Sequence, residues 1–332
     1  MSVKITRRRA ITVLAAAAGL PLFIKAGHAQ ARVYRWQGTS LGADASIQLY
    51  HTDEAKARTA VDAALAELNR LEDMFSLYRP NSVLSLLNRD GSVEGAPKEF
   101  VELMAYGREV AEITDGWFDP TVQPVWDLYF RHFTADNVDP AGPSPEAIKQ
   151  ALALVDWRGI TIDRGAGRVA LARPGMAVTH NALGQGYITD RVADILRGYG
   201  FGNMLINMGE LQAVSSRPDG QAWRIGIADP ADHSRAIAEV DVVDKGVATS
   251  GGYGTIFDPN GKFTHIIDPH SGRTAPQLLG VTVIADSATK ANAFSTPLTL
   301  LPKEKRQSVV SLGRGIKAIF VTPDGVTETL EG

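Results

Sequence analysis

The chain of 332 residues predicts mixed strands and helices arranged in one or two domains, and three observations carry that expectation. Through residues 54–78 an apolar stripe repeats at helical spacing: Val61, Leu65, Leu68, Leu71 and Phe75 share a face, while Asp62, Glu67, Arg70 and Asp73 fall elsewhere. Short β-type runs, such as 281–285 and 317–322, are separated by Gly, Pro and Asp turn signals. With 44% hydrophobic and 21% charged residues, the chain can bury a large core.

In chain order, residues 32–50 read as a strand pair with Gln37-Gly38-Thr39 and Gly42 as flexible points. The long helix runs out at Arg79-Pro80-Asn81, because the residue before a proline is pushed out of the helical region. Residues 82–88 read as a short capped turn of helix, and 98–114 as a second long helix closing on Asp115-Gly116. Trp117-Phe118 beside Asp119-Pro120 reads as core first and as a stacking wall second. Residues 133–144 read as a surface loop, before a helix opened by Ser144-Pro145-Glu146 and running to Val155. Runs at 160–162 and 169–172 make a hairpin around the turn 163–167.

The segment Thr179-His180-Asn181-Ala182-Leu183-Gly184-Gln185-Gly186-Tyr187 then enters an amphipathic helix stopped by Gly200. A glycine-bearing turn at a helix N-terminus offers N–H groups to a phosphate; a plain tight strand-to-helix connection has the same look. Strands follow at 203–207, 223–228, 237–242 and 281–285. Residues 288–301 and 302–313 look helical with a kink or break at Pro297, and 317–322 with 326–330 form a closing hairpin. There is no internal repeat.

The stretch 247–272, VATSGGYGTIFDPNGKFTHIIDPHSG, concentrates the chemistry. Small residues from Thr249 to Gly252, two Asp-Pro turns and His265 on a β-type run, 264–267, read as one hairpin-like unit that brings backbone close to a ligand. An ordinary hairpin whose glycines serve only the turn is the competing reading. A Ser250, His265, Asp268 triad fails, because residues three apart on a strand face opposite ways. Residues 254–262 are no Walker motif, and Gly198, Gly200 and Gly202 follow a helix, so they are no dinucleotide fingerprint.

A net charge of −3 without a long basic cluster in the mature part excludes nucleic acid as a partner. Arg7-Arg8-Arg9, an apolar run to Ile24 and Ala29-Gln30-Ala31 read as a cleavable signal peptide over residues 1–31, of the twin-arginine kind, with the mature domain at 32–332 in the periplasm. The chain has no cysteine, so disulfides, thiol nucleophiles and thiolate metal sites are excluded, and any metal sits on oxygen or imidazole.

Taken together, Gln37-Gly38-Thr39, Phe75-Ser76-Leu77-Tyr78-Arg79-Pro80-Asn81-Ser82 with Leu87-Asn88, the run from Asp115 to Val122, the run from Gly184 to Asp190, Ala248-Thr249-Ser250-Gly251 and His265-Ile266-Ile267-Asp268-Pro269 resemble the ApbE family of FAD:protein FMN transferases. The resemblance covers nearly the whole mature chain. It implies a two-lobed α+β (T-fold-like) architecture, FAD and Mg²⁺ as ligands, and transfer of FMN to a Thr hydroxyl of a partner protein with release of AMP. The signal peptide and the 181–187 variant look most like the NosX branch. That branch implies an acceptor that is a membrane-bound flavoprotein of the nitrous oxide reduction system.

Carried onto this sequence, the resemblance places Gln37, Tyr78, Trp117, Phe118, Asp119, Thr179, Gln185, Thr249, Ser250, Ile266 and Ile267 at the flavin nucleotide, and makes His265 the candidate base. It places Ala182, through its carbonyl, with Asn292 and Thr296 at Mg²⁺. This chain departs from the family pattern in having Asn292 for a carboxylate, Thr179 for a carboxylate, Gln185 for Lys or Glu, and Gly209-Glu210-Leu211 for Gly-Gly-Asp. An uncharged amide implies weaker Mg²⁺ binding, and Asn292→Asp is expected to tighten it. A non-catalytic flavin-binding maturation factor and an FAD pyrophosphatase are the alternative functions.

Overall fold

The computed structural model describes residues 32–229, 235–274 and 278–332; the expected signal peptide lies outside them. The chain opens with β1 (Arg32–Ser40) and β2 (Ala43–His51), paired antiparallel in a hairpin. The two turn residues, Leu41 (φ 46°) and Gly42 (φ 85°), are both left-handed, which matches the twist of a two-residue hairpin. Glu72 accepts the Leu41 N–H at 2.9 Å and holds that non-glycine residue there.

Helix α1 (Glu54–Phe75) is capped by Asp53, which accepts the Lys56 N–H, and buries Val61, Leu68, Leu71 and Phe75 of the expected stripe. It ends three residues before the sequence expectation, where Ser76 turns extended. Next come α2 (Val83–Asp90) under its Ser82 cap, β3 (Ser92–Val93), α3 (Lys98–Ile113), α4 (Gln123–Thr134) and α5 (Pro145–Leu152). Strands β4 (Ile160–Asp163) and β5 (Arg168–Leu171) form the expected hairpin and, with β3, a three-stranded sheet.

Helix α6 (Gly184–Gly198) follows the 179–183 turn. After it come β6 (Met204–Asn207), β7 (Leu211–Val214), β8 (Trp223–Ala228), β9 (Ala236–Val242), β10 (Gly246–Ser250) and β11 (Gly280–Ala285). Helices α7 (Ala288–Leu300) and α8 (Lys303–Leu312) and the hairpin β12 (Lys317–Val321) and β13 (Thr327–Glu331) close the chain.

Eight strands make one antiparallel sheet in the order β1-β2-β6-β7-β10-β11-β12-β13. Helices α1, α6 and α7 cover one face over a core that includes Ile47, Leu49, Val281, Val283 and Phe320. The β8-β9 hairpin covers the other, where Trp223, Ile225 and Val242 meet Leu211, Val247 and Ile284. With both faces buried, β11 reads as a continuous apolar run, whereas β2 alternates as a strand nearer the edge does. The architecture is α+β, as expected.

Two local expectations are corrected. Residues 247–272 are no hairpin: β10 pairs with β7 and β11, and beyond it Ile256 and Thr264 form a single bridge among turns, so 264–267 is no strand. Nor does Pro297 break a helix. It sits inside α7, held by packing on α6, β10 and β11, and the chain leaves the helix at Leu301-Pro302 instead.

Candidate functional site

The platform of the site is α7, and two glycines set its distance from its neighbours. A Cβ on Gly186 of α6 would lie 2.4 Å from the Ala288 carbonyl oxygen, and one on Gly246 of β10 would lie 2.2 Å from the Ala288 nitrogen. Only hydrogen at these positions lets α7 descend onto the sheet. Its N-terminus is tied down by Asp190, which accepts from the N–H groups of Ala288 and Thr289 at 2.9 Å each, and by the cap Ser287.

Seated this way, α7 brings Asn292 and Thr296, one turn apart, against β10 and the residue before β7. The Ser250 hydroxyl lies 2.8 Å from Ser295 Oγ and 3.0 Å from Thr296 Oγ1. Asn292, 3% exposed, donates from Nδ2 to Glu210 Oε1 at 2.7 Å, and its Oδ1 has no hydrogen-bond partner among the described residues. The Thr249 N–H also donates to the Glu210 carboxylate. Burial pushes that carboxyl well above the usual range, against the lowering effect of the Thr249 bond. Tyr253 feels the same charge: burial first and Glu210 second push its phenol up to about 12.

The residues present are thus a buried amide oxygen lacking a donor, neighbouring hydroxyls and one carboxylate, a set that suits a hard cation. No three His, Cys, Asp or Glu side chains cluster for a metal among the described residues. Glu210 is the member of this group that sequence reading passed over, registering it only as a departure from a motif. The signal was present as a lone carboxylate between a glycine and the apolar run Leu211–Val214, where burial demands a partner.

His265 sits beyond the end of β10. Its Nδ1 lies 3.1 Å from the Thr255 nitrogen and 3.2 Å from the Thr255 oxygen, and its ring covers Gly254. The ring is half-buried, and burial lowers its pKa against the raising effect of the Thr255 backbone bond. When Nδ1–H donates to the Thr255 carbonyl, Nε2 keeps a free lone pair, as a base requires. Thr249 Oγ1 is engaged across the sheet with Thr282 Oγ1 at 2.9 Å. Ile266 and Ile267 are buried, the latter against Val125, Tyr129 and Phe257.

Tyr78 is displayed on a braced turn, 66% exposed. Its N–H donates to Ser76 Oγ, Ser82 Oγ donates to the Ser76 carbonyl at 2.6 Å, and Arg79 pairs with Glu72 and Asp73. Trp117 is half-buried with its ring 4.7 Å from that of His270, whereas Phe118 belongs to the main core. The Asp119 carboxylate is spent on its own turn: Oδ1 accepts from the Thr121 N–H and hydroxyl, and Oδ2 from the Trp157 N–H at 3.0 Å. Burial raises its pKa against those bonds. Thr179 joins this turn through its N–H, which donates to the Pro120 carbonyl at 2.8 Å. Asn88 clamps the approach to Thr179 with two bonds to Val178.

Gln37 is exposed on β1, and Gln185 packs its amide over Gly209, beside Glu210. Ala182 is half-buried just before α6, whose N-cap residue Leu183 makes no side-chain cap. Hydrogen bonds join Asn292, Glu210, Thr249, Ser250, Ser295 and Thr296 into one group. Among the described residues, none joins that group to His265 or to the Trp117–Asp119 turn.

Sheet, helix and oxygen group together define an α+β protein with a polar site built beside the C-terminal half of a central strand. The family model described as the ApbE family matches residues 41–320, and the chain belongs to that family. It is 28% identical over 87% of its length to the FAD:protein FMN transferase of Klebsiella pneumoniae, covering 84% of that protein, and 27% identical to that of Escherichia coli K12 with the same coverages. Among solved structures it resembles the ApbE protein of Thermotoga maritima, with a TM-score of 0.79 and 27% identity over 90% of this chain and 97% of that one. It also resembles the apo form of the flavinyl transferase ApbE of Pseudomonas stutzeri, with a TM-score of 0.75 and 29% identity over 91% and 95%.

Proposed function

We propose that this protein is an FAD:protein FMN transferase. The observation that carries the reading is the buried, donorless Asn292 Oδ1 beside the Ser250 and Thr296 hydroxyls and the Glu210 carboxylate, in a chain whose relatives bear that name. A Thr hydroxyl of the acceptor attacks the phosphorus on the FMN side of the FAD pyrophosphate. The new O–P bond forms as the bridging P–O bond breaks, AMP departs with the electron pair, and the hydroxyl proton passes to Nε2 of His265. The first turn of α6, whose N–H groups no side chain caps, would receive the pyrophosphate, and Tyr78 and Trp117 would hold the adenine side. Asn292 Oδ1, the Thr296 hydroxyl and the Ala182 carbonyl are the groups that would hold Mg²⁺. Bound there, Mg²⁺ neutralises pyrophosphate charge.

The acceptor is a membrane-bound flavoprotein of the nitrous oxide reduction system, and the reaction is periplasmic. The paired arginines before the apolar run and the NosX-like 181–187 segment support this placement.

Incubation with FAD, Mg²⁺ and such an acceptor domain is expected to add the mass of FMN to an acceptor Thr. FMN and AMP released without an adduct would establish a pyrophosphatase, and bound FAD left intact a non-catalytic factor. Tyr78→Ala is expected to weaken FAD binding by about 1–3 kcal/mol, as loss of an aromatic stacking platform does. Unchanged FAD affinity by fluorescence titration would remove Tyr78 from the site.

A further inference from the structure

Glu210 is 7% exposed; the Asn292 amide and the Thr249 N–H donate to its carboxylate, and its charge reaches the Tyr253 phenol. A buried carboxylate among neutral groups is costly to keep ionised unless a cation shares the space. The Asn292 amide presents its NH₂ edge to Glu210, the orientation required by a carboxylate that a neighbouring cation keeps ionised and therefore only accepting, and Oδ1 is turned away from it to where no donor among the described residues meets it.

We propose that Glu210 is the positioning carboxylate of this site: it fixes the Asn292 amide with its oxygen toward a divalent cation and supplies the negative charge that Asn292 lacks. The pair then does jointly what one ligating carboxylate would do, with charge and ligand atom divided between two side chains 2.7 Å apart. Gly209, φ 104°, lets the chain turn sharply enough to place Glu210 beneath α7, and the Gln185 amide closes over that glycine. The inference rests on the reading of Asn292 as a cation-holding group, and stands apart from whether FMN is transferred.

The test is Mn²⁺ binding to the full chain, followed by electron paramagnetic resonance, for the native protein, E210Q and the charge-swapped double variant E210Q/N292D. Gln at 210 keeps the shape and can still accept from Asn292, so E210Q is expected to fold as the native protein does and to bind Mn²⁺ at least about tenfold more weakly. In the double variant the Gln amide donates to the new carboxylate, the charge returns to the same pair, and affinity is expected to recover to within about threefold of native. Weaker Mn²⁺ binding in E210Q at an unchanged melting temperature is something a merely structural role for Glu210 would not produce. Native affinity in E210Q, no recovery in the double variant, or no Mn²⁺ binding by the native chain would each overturn the inference.

FMN adduct formation measured on the same three proteins separates the two readings. Adduct formation by the native protein together with undiminished Mn²⁺ binding in E210Q sinks the role of Glu210 and leaves the transferase. Loss and recovery of Mn²⁺ binding in a chain that forms no adduct with any acceptor sinks the transferase and leaves Glu210.

Discussion

Replacing Asn292 by Asp removes the donor that faces Glu210 and sets two carboxylates 2.7 Å apart in a buried site. Sequence alone leads one to expect tighter Mg²⁺ binding from that change; the structure adds a cost that appears before any cation arrives. Without divalent cation, N292D is expected to lose about 1–3 kcal/mol of stability, the penalty of a broken buried hydrogen bond, and to recover it on adding Mg²⁺. Melting curves with EDTA and with Mg²⁺ check this, and equal melting temperatures in EDTA would contradict it. His180 offers a second measurement. It is buried between Phe75 and Phe100 with Nε2 at 3.1 Å from Met104 Sδ, and burial lowers its pKa to about 3. An unfolded chain protonates this histidine near 6.5 while the folded chain stays neutral down to about 3. The stability it contributes is therefore complete above pH 6.5 and drains away as pH falls, by up to about 1.4 kcal/mol per unit. Urea unfolding at pH 7 and pH 5 is expected to show a smaller loss in His180→Phe than in the native protein; equal losses would show that another group governs the acid limb.

At the scale of elements, the contact that matters most to the site is α7 on α6 and β10. Gly186→Ala and Gly246→Ala each drive a methyl into the backbone of Ala288, at 2.4 and 2.2 Å, which no rotamer change relieves. Each is expected to cost about 1–3 kcal/mol by overpacking, and G246A to weaken FAD binding as well, because moving α7 separates Thr296 from Ser250. Denaturant midpoints and FAD titration check both, and a G246A protein with native stability would mean that α7 is not seated by this glycine. The Asp190 and Ser287 caps act at the same scale. They fix where α7 begins, and hence which turn presents Asn292.

At the scale of the whole molecule, the proposed destination determines which acceptors the enzyme meets. Changing Arg7, Arg8 and Arg9 together to Lys keeps the charge and removes the pair that the twin-arginine route reads, so the unprocessed precursor is expected to remain in the cytoplasm. Fractionation and immunoblotting decide it: mature protein in the periplasm would assign the signal to the general secretory route.

Local patterns reach as far as the elements do. The α1 stripe, the Ser82 and Ser144 caps, the 160–171 hairpin and the apolar β11 run are legible because propensity, capping and burial all act within a few residues. Helix α4 carries Trp126, Tyr129, Phe130 and Phe133 at helical spacing, a signal that the sequence reading passed over; its partners, Phe257 and Phe263, lie more than a hundred residues away and escape it altogether. Pairing partners escape in the same way: β10 takes β7 and β11, and the turns after it leave His265 on Thr255 and Gly254 rather than on a strand. By itself the sequence determined that this is an α+β chain free of cysteine with six ordered motifs of one family. That Asn292 lies against Glu210, 82 residues earlier in the chain, only the tertiary structure decided. A buried polar group chooses its partner across the packed interface of helix and sheet, and no spacing along the chain encodes that distance.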